Sequence, residues 1–171
     1  MIDQQLQQGT DSDNNFRVNT GNSEHAQSFT TTIAGGITSM QMTLKKVGSP
    51  TGNIYVQIQT NSSGLPSNIS LGQSANVDVS TLSTSYGLIT FTFSTPVSVN
   101  ANTIYHCVLM GSFAVNGSNY VKDATVSGGA YAYAGGHFSY RYNAAWTDGG
   151  GDLYFVENVD PRGSIILKMV Q

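Results

Sequence analysis

Apolar and polar side chains alternate along most of this chain. Residues 37–47 set Met40, Met42 and Leu44 against Gln41, Thr43 and Lys45. Residues 53–60 set Ile54, Val56 and Ile58 against Tyr55, Gln57 and Gln59, and residues 88–94 set Ile89, Phe91 and Phe93 against Leu88, Thr90 and Thr92. A period of two is what a half-buried strand requires, because successive side chains leave opposite faces. Residues 26–33 alternate through Phe29 and Ile33, and residues 103–110 are apolar on both faces, as suits a central strand. Turn signals separate these runs: SPTGN at 49–53 predicts a tight turn, NSSGLPSN at 61–68 a longer loop, and Pro96 the end of a strand. Residues 163–170 predict a last strand after Asp160-Pro161, and a short helical turn is expected near 80–85. With no convincing helix-period stretch and no internal repeat, the expected fold is all-β, a jelly-roll β-sandwich of about eight to ten antiparallel strands.

Three segments are expected. Residues 1–24 are polar, with isolated apolar anchors at Ile2, Leu6, Phe16 and Val18, and predict an N-terminal arm outside the core. Residues 25–156 carry the sandwich. Residues 157–171 form a C-terminal strand or tail.

Composition sharpens this picture. Of 171 residues only 10% are charged, against roughly 25% in an average soluble domain. The polar surface is therefore built from Ser, Thr, Asn, Gln and Gly, a texture common in extracellular and virion β proteins. The net charge is −3 and Lys45-Lys46 is the one adjacent basic pair, which argues against nucleic acid as a partner. No apolar run approaches the roughly 18 residues of a membrane helix, and the N-terminus has no signal-peptide pattern. A protein acting outside the cell then leaves by another route, such as phage-driven lysis, is a piece cut from a longer chain, or rides out on a particle. The single cysteine, Cys107, lies on an apolar strand and reads as a buried, inert thiol; His106 beside it points to the opposite face.

The matches to a known module accumulate in order: AQSFT at 26–30, LKKVGSPTGNIYVQI at 44–58, SSGLPS at 62–67, LSTSYGLITFTFSTPVSVNANTIY at 82–105, YAGG at 133–136 and WTDGGGDLYF at 146–155. Together they resemble the choice-of-anchor jelly-roll modules found in secreted bacterial proteins and phage particles. The resemblance implies a sandwich that binds, displays or decorates rather than one that catalyses. Lacking an export signal and a sorting segment, the chain departs from secreted members. The expectation is a non-enzymatic virion structural protein that docks on a capsid or tail, with other virion proteins and further copies of itself as partners. The alternative is a carbohydrate-binding module or adhesin domain of an extracellular bacterial protein.

Candidate chemistry concentrates in residues 128–156. Tyr131 and Tyr133 share one face, Phe138, Tyr140 and Tyr142 share another, and Trp146 follows. Aromatic faces stack on the C–H faces of sugars, and the interleaved His137, Arg141, Asn143 and Asp148 can bond hydroxyls. Tyr131, Tyr133, His137, Tyr140, Tyr142, Trp146 and Asp148 are thus the candidate glycan contacts, with one stripe expected to face inward. Asp11, Asp13 and Asn15 have the spacing that starts a calcium loop, but Phe16 stands where glycine is needed and no Glu closes it. A Ca²⁺ site drawing on Asp152 or Glu157 is the remaining cofactor candidate. His25, His106 and His137 lack zinc spacing, and no G-x-S-x-G elbow exists. Sequons at Asn61, Asn68 and Asn116 carry no weight in so Asn-rich a chain.

Overall fold

The computed structural model describes residues 1–6, 12–17, 22–114, 116–126 and 133–164. Fourteen strands run through them: β1 (Ile2–Leu6), β2 (Ser12–Phe16), β3 (Asn22–Thr30), β4 (Gly35–Val47), β5 (Asn53–Ser62), β6 (Leu65–Gln73), β7 (Val77–Asp78), β8 (Gly87–Val99), β9 (Ile104–Gly111), β10 (Tyr120–Val126), β11 (Phe138–Tyr142), β12 (Ala145–Asp148), β13 (Asp152–Leu153) and β14 (Phe155–Asp160). They form two antiparallel sheets. The first runs β1-β14-β4-β10-β13, with β2 on β10 and β8 on β4; the second runs β12-β11-β3-β9-β5-β6, with β7 on β5. Two features account for part of the excess over the expected strand count. The N-terminal segment supplies β1 and β2, and β13 and β14 are one strand interrupted at Tyr154, where the partner changes from β10 to β4.

The alternating runs bury the faces that the pattern assigns. Met40, Met42 and Leu44 of β4 and Phe91 and Phe93 of β8 meet Ile54, Val56 and Ile58 of β5 and Tyr105, Cys107 and Leu109 of β9 across a single core. Polar side chains also cross between the sheets. His25 Nδ1 of β3 bonds Asp123 Oδ2 of β10, with the ring held edge-on between Phe16 and Phe138. Gln27 Nε2 donates to Asp152 Oδ1 at 2.9 Å and Gln27 Oε1 accepts from Leu153 N at 2.7 Å.

Of the segment expected to be an arm, Ile2–Leu6 and Ser12–Phe16 are paired into the first sheet, and residues 22–24 begin β3 in the second. β1 pairs with β14, and the Met1 ammonium donates to Val159 O at 2.7 Å. β2 pairs with β10 from Ser12 to Phe16, and Phe16 is fully buried in the core. One reason lies in the charges. Lys45 and Lys122 stand directly opposite each other on β4 and β10, an unfavourable cross-strand pair when left alone. Asp13 of β2 answers both, accepting from Lys122 Nζ at 2.9 Å and lying 4.0 Å from Lys45 Nζ.

Local expectations change in three places. NSSGLPSN is not a long loop: Ser62 pairs with Leu65, and the two-residue turn between them has Ser63 at φ 52° and Gly64 at φ 88°. Positive φ at both positions is what the right-handed twist of a tight hairpin demands. Pro96 does not end its strand. It sits within β8 in a bulge between the pairs Ser39–Thr92 and Ile37–Val97, on a strand at the sheet edge where its missing N–H is tolerated. The expected helical turn is a 3-10 turn at Val79–Thr81, and a second occupies Pro161–Ser164. Most of the expected strand at 163–170 lies outside the described residues.

Candidate functional site

Strand β11 divides the sequence-predicted glycan residues between two faces. Phe138, at one end of the predicted stripe, is 4% exposed in the core. Tyr140 packs against the core and stacks on Phe138, with ring centroids 6.1 Å apart. Tyr142 continues that face and emerges half exposed at the strand end. Tyr133 also turns inward: its ring meets Phe155 edge-on at 5.2 Å, and its hydroxyl accepts from Thr30 N at 3.3 Å. Tyr133 and Tyr140 therefore serve packing first. Tyr131 lies outside the described residues.

Trp146 belongs to the other face. The β11–β12 hairpin turns through Asn143 and Ala144, both at positive φ, and places Trp146 opposite Arg141 and Asp148 opposite Ser139. Directly opposed residues share a face, so Trp146 and Asp148 stand with Arg141 and Ser139 on the outer side of the second sheet. His137 reaches the same side, its Cε1 3.9 Å from where a side chain at Gly64 would begin. The predicted cluster thus separates into His137, Trp146 and Asp148 outside and Tyr133, Tyr140 and Tyr142 on the core side.

The cross-strand register extends this outer face across β3, β9 and β5. Ser139 opposes Ala26, Ala26 opposes Val108, and Ser28 opposes His106, which opposes Gln59. An outer sheet face is ordinarily wet, yet Ala26, Val108, His106 and Ser139 are 0% exposed and Gln59 is 3% exposed. Strand β6 accounts for part of this cover. Between the pairs Asn61–Pro66 and Gln59–Ser70, Ser67, Asn68 and Ile69 bulge out of register, with Asn68 at φ 64°. Strand β6 comes close to β12, β3 and β9, none of which it pairs with. Asn68 N donates to Gln59 Oε1 at 3.0 Å, and Trp146 Nε1 donates to Asn68 Oδ1 at 3.1 Å. The two ends of a six-strand ladder are thereby joined over its outer face.

The charged side chains on this face have local partners. Arg141 NH1 donates to both oxygens of Glu24 at 3.0 and 3.1 Å, and Asp148 Oδ1 accepts from Gly150 N at 2.9 Å. His106 Nε2 bonds Asn61 Oδ1 at 3.0 Å, and that same oxygen accepts from Gly64 N at 3.1 Å. Asn61 Oδ1 is therefore an acceptor, Nε2 is the protonated nitrogen, and Nδ1 carries a bare lone pair. Burial, and then the nearby His137, push the His106 imidazole down to about 4, so it is neutral at pH 7. Three buried atoms here have no hydrogen-bond partner among the described residues: His106 Nδ1, Ser139 Oγ and Arg141 Nε. The arrangement can stack an aromatic ring against a ligand and exchange hydrogen bonds with it. Sequence reasoning missed Ser139, Asn68 and His106 as members. The one signal pointing to a covered outer face was the strand at 103–110, apolar on both sides.

The acidic candidates Asp13 and Asp152 have structural partners. Asp13 is held by two lysines and by Tyr86 OH at 3.0 Å, and Asp152 by Gln27 and by Tyr133 N at 2.9 Å. Glu157 is fully buried between the sheets. Among the described residues, no group of three or more His, Cys, Asp or Glu is arranged to hold a metal ion. Asp11 lies outside the described residues. Cys107 is a buried free thiol, pushed above its usual range by burial and then by Glu157. No helix of the described residues is long and apolar enough to cross a membrane. No family model, curated protein or solved structure matches this chain.

Proposed function

We propose that this chain is a non-enzymatic, jelly-roll type sandwich that contacts glycans through the outer face of its second sheet, as a decoration or appendage unit on a phage particle. The observation that carries the glycan reading is Trp146. It is held by Asn68 on the same face as the Arg141–Glu24 pair, an aromatic plane beside fixed hydrogen-bonding groups. A sugar ring stacks its C–H face on such a plane while its hydroxyls take the polar groups. The particle setting rests on the resemblance to choice-of-anchor modules and on the low charge of the surface. Exposed Ile69 and Leu71 on β6 and Leu88 on β8 support contacts with other virion proteins or further copies. The same face would serve a carbohydrate-binding module or adhesin of an extracellular bacterial protein. Purified particles that contain the chain favour the virion, and its presence in culture medium without particles favours the adhesin.

The test of the site is a glycan array spanning uncharged, uronic, sialylated, sulfated and amino-sugar chains, run with wild type and Trp146→Ala. Saturable binding that Trp146→Ala reduces at least about tenfold, with the fold intact, is the expected result. No binding to any class, or binding unaffected by the substitution, refutes the reading.

A further inference from the structure

The covered strip beneath the β5–β6 hairpin has a polarity of its own. Ser139 and His106 are fully buried there, and each carries an atom with no partner among the described residues. Leaving a buried polar atom unpaired costs about 1–3 kcal/mol, and native proteins keep few of them. Here Ser139 Oγ, His106 Nδ1 and Arg141 Nε share one face of one sheet, with Ala26 and Ser28 between them. Ala26 and Ser28 are its small side chains, and Ser28 Oγ is engaged with the His137 backbone. Over it lies the β5–β6 hairpin end, in which Pro66 is buried and which reaches the strip's residues and β12 through single polar contacts: Asn68 to Trp146, Asn68 to Gln59, and Asn61 to His106.

We propose that this strip is the deep end of the glycan site, and that it receives hydroxyl groups of an uncharged sugar when the Asn61–Ser70 segment lifts. The inference rests on the glycan reading and adds the ligand class. The unpaired atoms fix that class. His106 Nδ1 can only accept, Arg141 Nε can only donate, and Ser139 Oγ can do both. A hydroxyl satisfies each of them. A carboxylate or sulfate oxygen can accept from Arg141 Nε and Ser139 Oγ, but it meets a lone pair at His106 and a carboxylate at Glu24. An ammonium can donate to His106 Nδ1 and Ser139 Oγ, but it meets the donor and the positive charge of Arg141.

Two measurements decide this. On the array, the bound chains are uncharged; preference for uronic, sialylated, sulfated or amino-sugar chains overturns the inference and leaves the glycan reading standing. With the best-bound uncharged oligosaccharide, calorimetric titration compares wild type, Ser139→Ala and Trp146→Ala, each with a urea unfolding curve. Ser139→Ala is expected to fold with equal or greater stability, because it removes an unpaired hydroxyl, and to bind about tenfold more weakly. If Ser139→Ala binds like wild type while Trp146→Ala does not, the strip lies outside the site and the inference falls alone. If nothing binds wild type, both readings fall together.

Discussion

Replacing Glu157 by Gln is expected to stabilise the protein, and to do so increasingly as pH rises. Glu157 points inward from β14, is fully buried, and has no hydrogen-bond partner for either carboxyl oxygen among the described residues. Burial, with a smaller contribution from Asp3, pushes its carboxyl up from an ordinary 4.5 to about 8. The folded protein therefore prefers the protonated form. In the unfolded chain the carboxyl ionises freely above its ordinary value. The stability is fully present below about pH 4.5 and is lost as pH rises through about 8. Each pH unit in that window costs about 1.4 kcal/mol. Between about pH 5 and pH 9 the loss amounts to roughly 4 kcal/mol, and about 3 kcal/mol of penalty is already present at pH 7. That is a large share of the roughly 5–15 kcal/mol that holds a domain together.

Glu157→Gln keeps the shape and removes the titration. Its amide is itself unpaired, a cost that is the same at every pH, so the informative quantity is the slope rather than the absolute stability. Urea unfolding at intervals from about pH 5 to pH 9 supplies it. The difference between variant and wild type is expected to widen steadily and then level off once Glu157 ionises in the folded state. Parallel curves would refute the reasoning, because they would mean that the carboxylate is ionised and solvated inside the fold at neutral pH.

Two further substitutions test other positions. Ala144 holds a left-handed φ of 66° in the β11–β12 turn, so Ala144→Gly is expected to raise stability by about 1 kcal/mol in urea unfolding; a loss would mean that the alanine methyl packs usefully. His106 is depressed from 6.5 to about 4, so its contribution is present above pH 6.5 and is lost as pH falls through about 4. His106→Gln is expected to flatten that acid limb, which amounts to on the order of 3 kcal/mol in wild type, while leaving the alkaline limb set by Glu157 unchanged.

The alternation of β4, β5 and β8 made their core faces legible, because one buried face and one wet face is the case that period two describes. The faces in residues 138–148 were harder. Phe138, Tyr140 and Tyr142 share a side by spacing alone, but the side taken by Trp146 depends on the hairpin register, and a two-residue turn at Asn143-Ala144 sets it opposite Arg141. Without that turn type the tryptophan is grouped with the tyrosines. The role of β2 was hidden differently. Its anchor is one phenylalanine, and its remaining hold is backbone pairing plus the answer of Asp13 to two lysines that only the fold brings together. The polar pairs between sheets were equally opaque. His25 and Asp123 are 98 residues apart, and residue type alone puts both outside.

The unpartnered groups of this protein fall into two kinds that a stability measurement alone would confuse. Glu157 lies between the two sheets, where no ligand reaches it without unfolding the sandwich, so its cost is paid at all times and grows with pH. Ser139 and His106 lie on the far side of the second sheet, beneath a single hairpin held by a few polar contacts. Both kinds are unfavourable in the isolated chain, and removing either Glu157 or the Ser139 hydroxyl improves or preserves folding. They part company on ligand addition. A silent change of binding at Glu157 beside a weakened one at Ser139, in two variants that both fold well, separates an internal strain of the core from groups that wait for a partner.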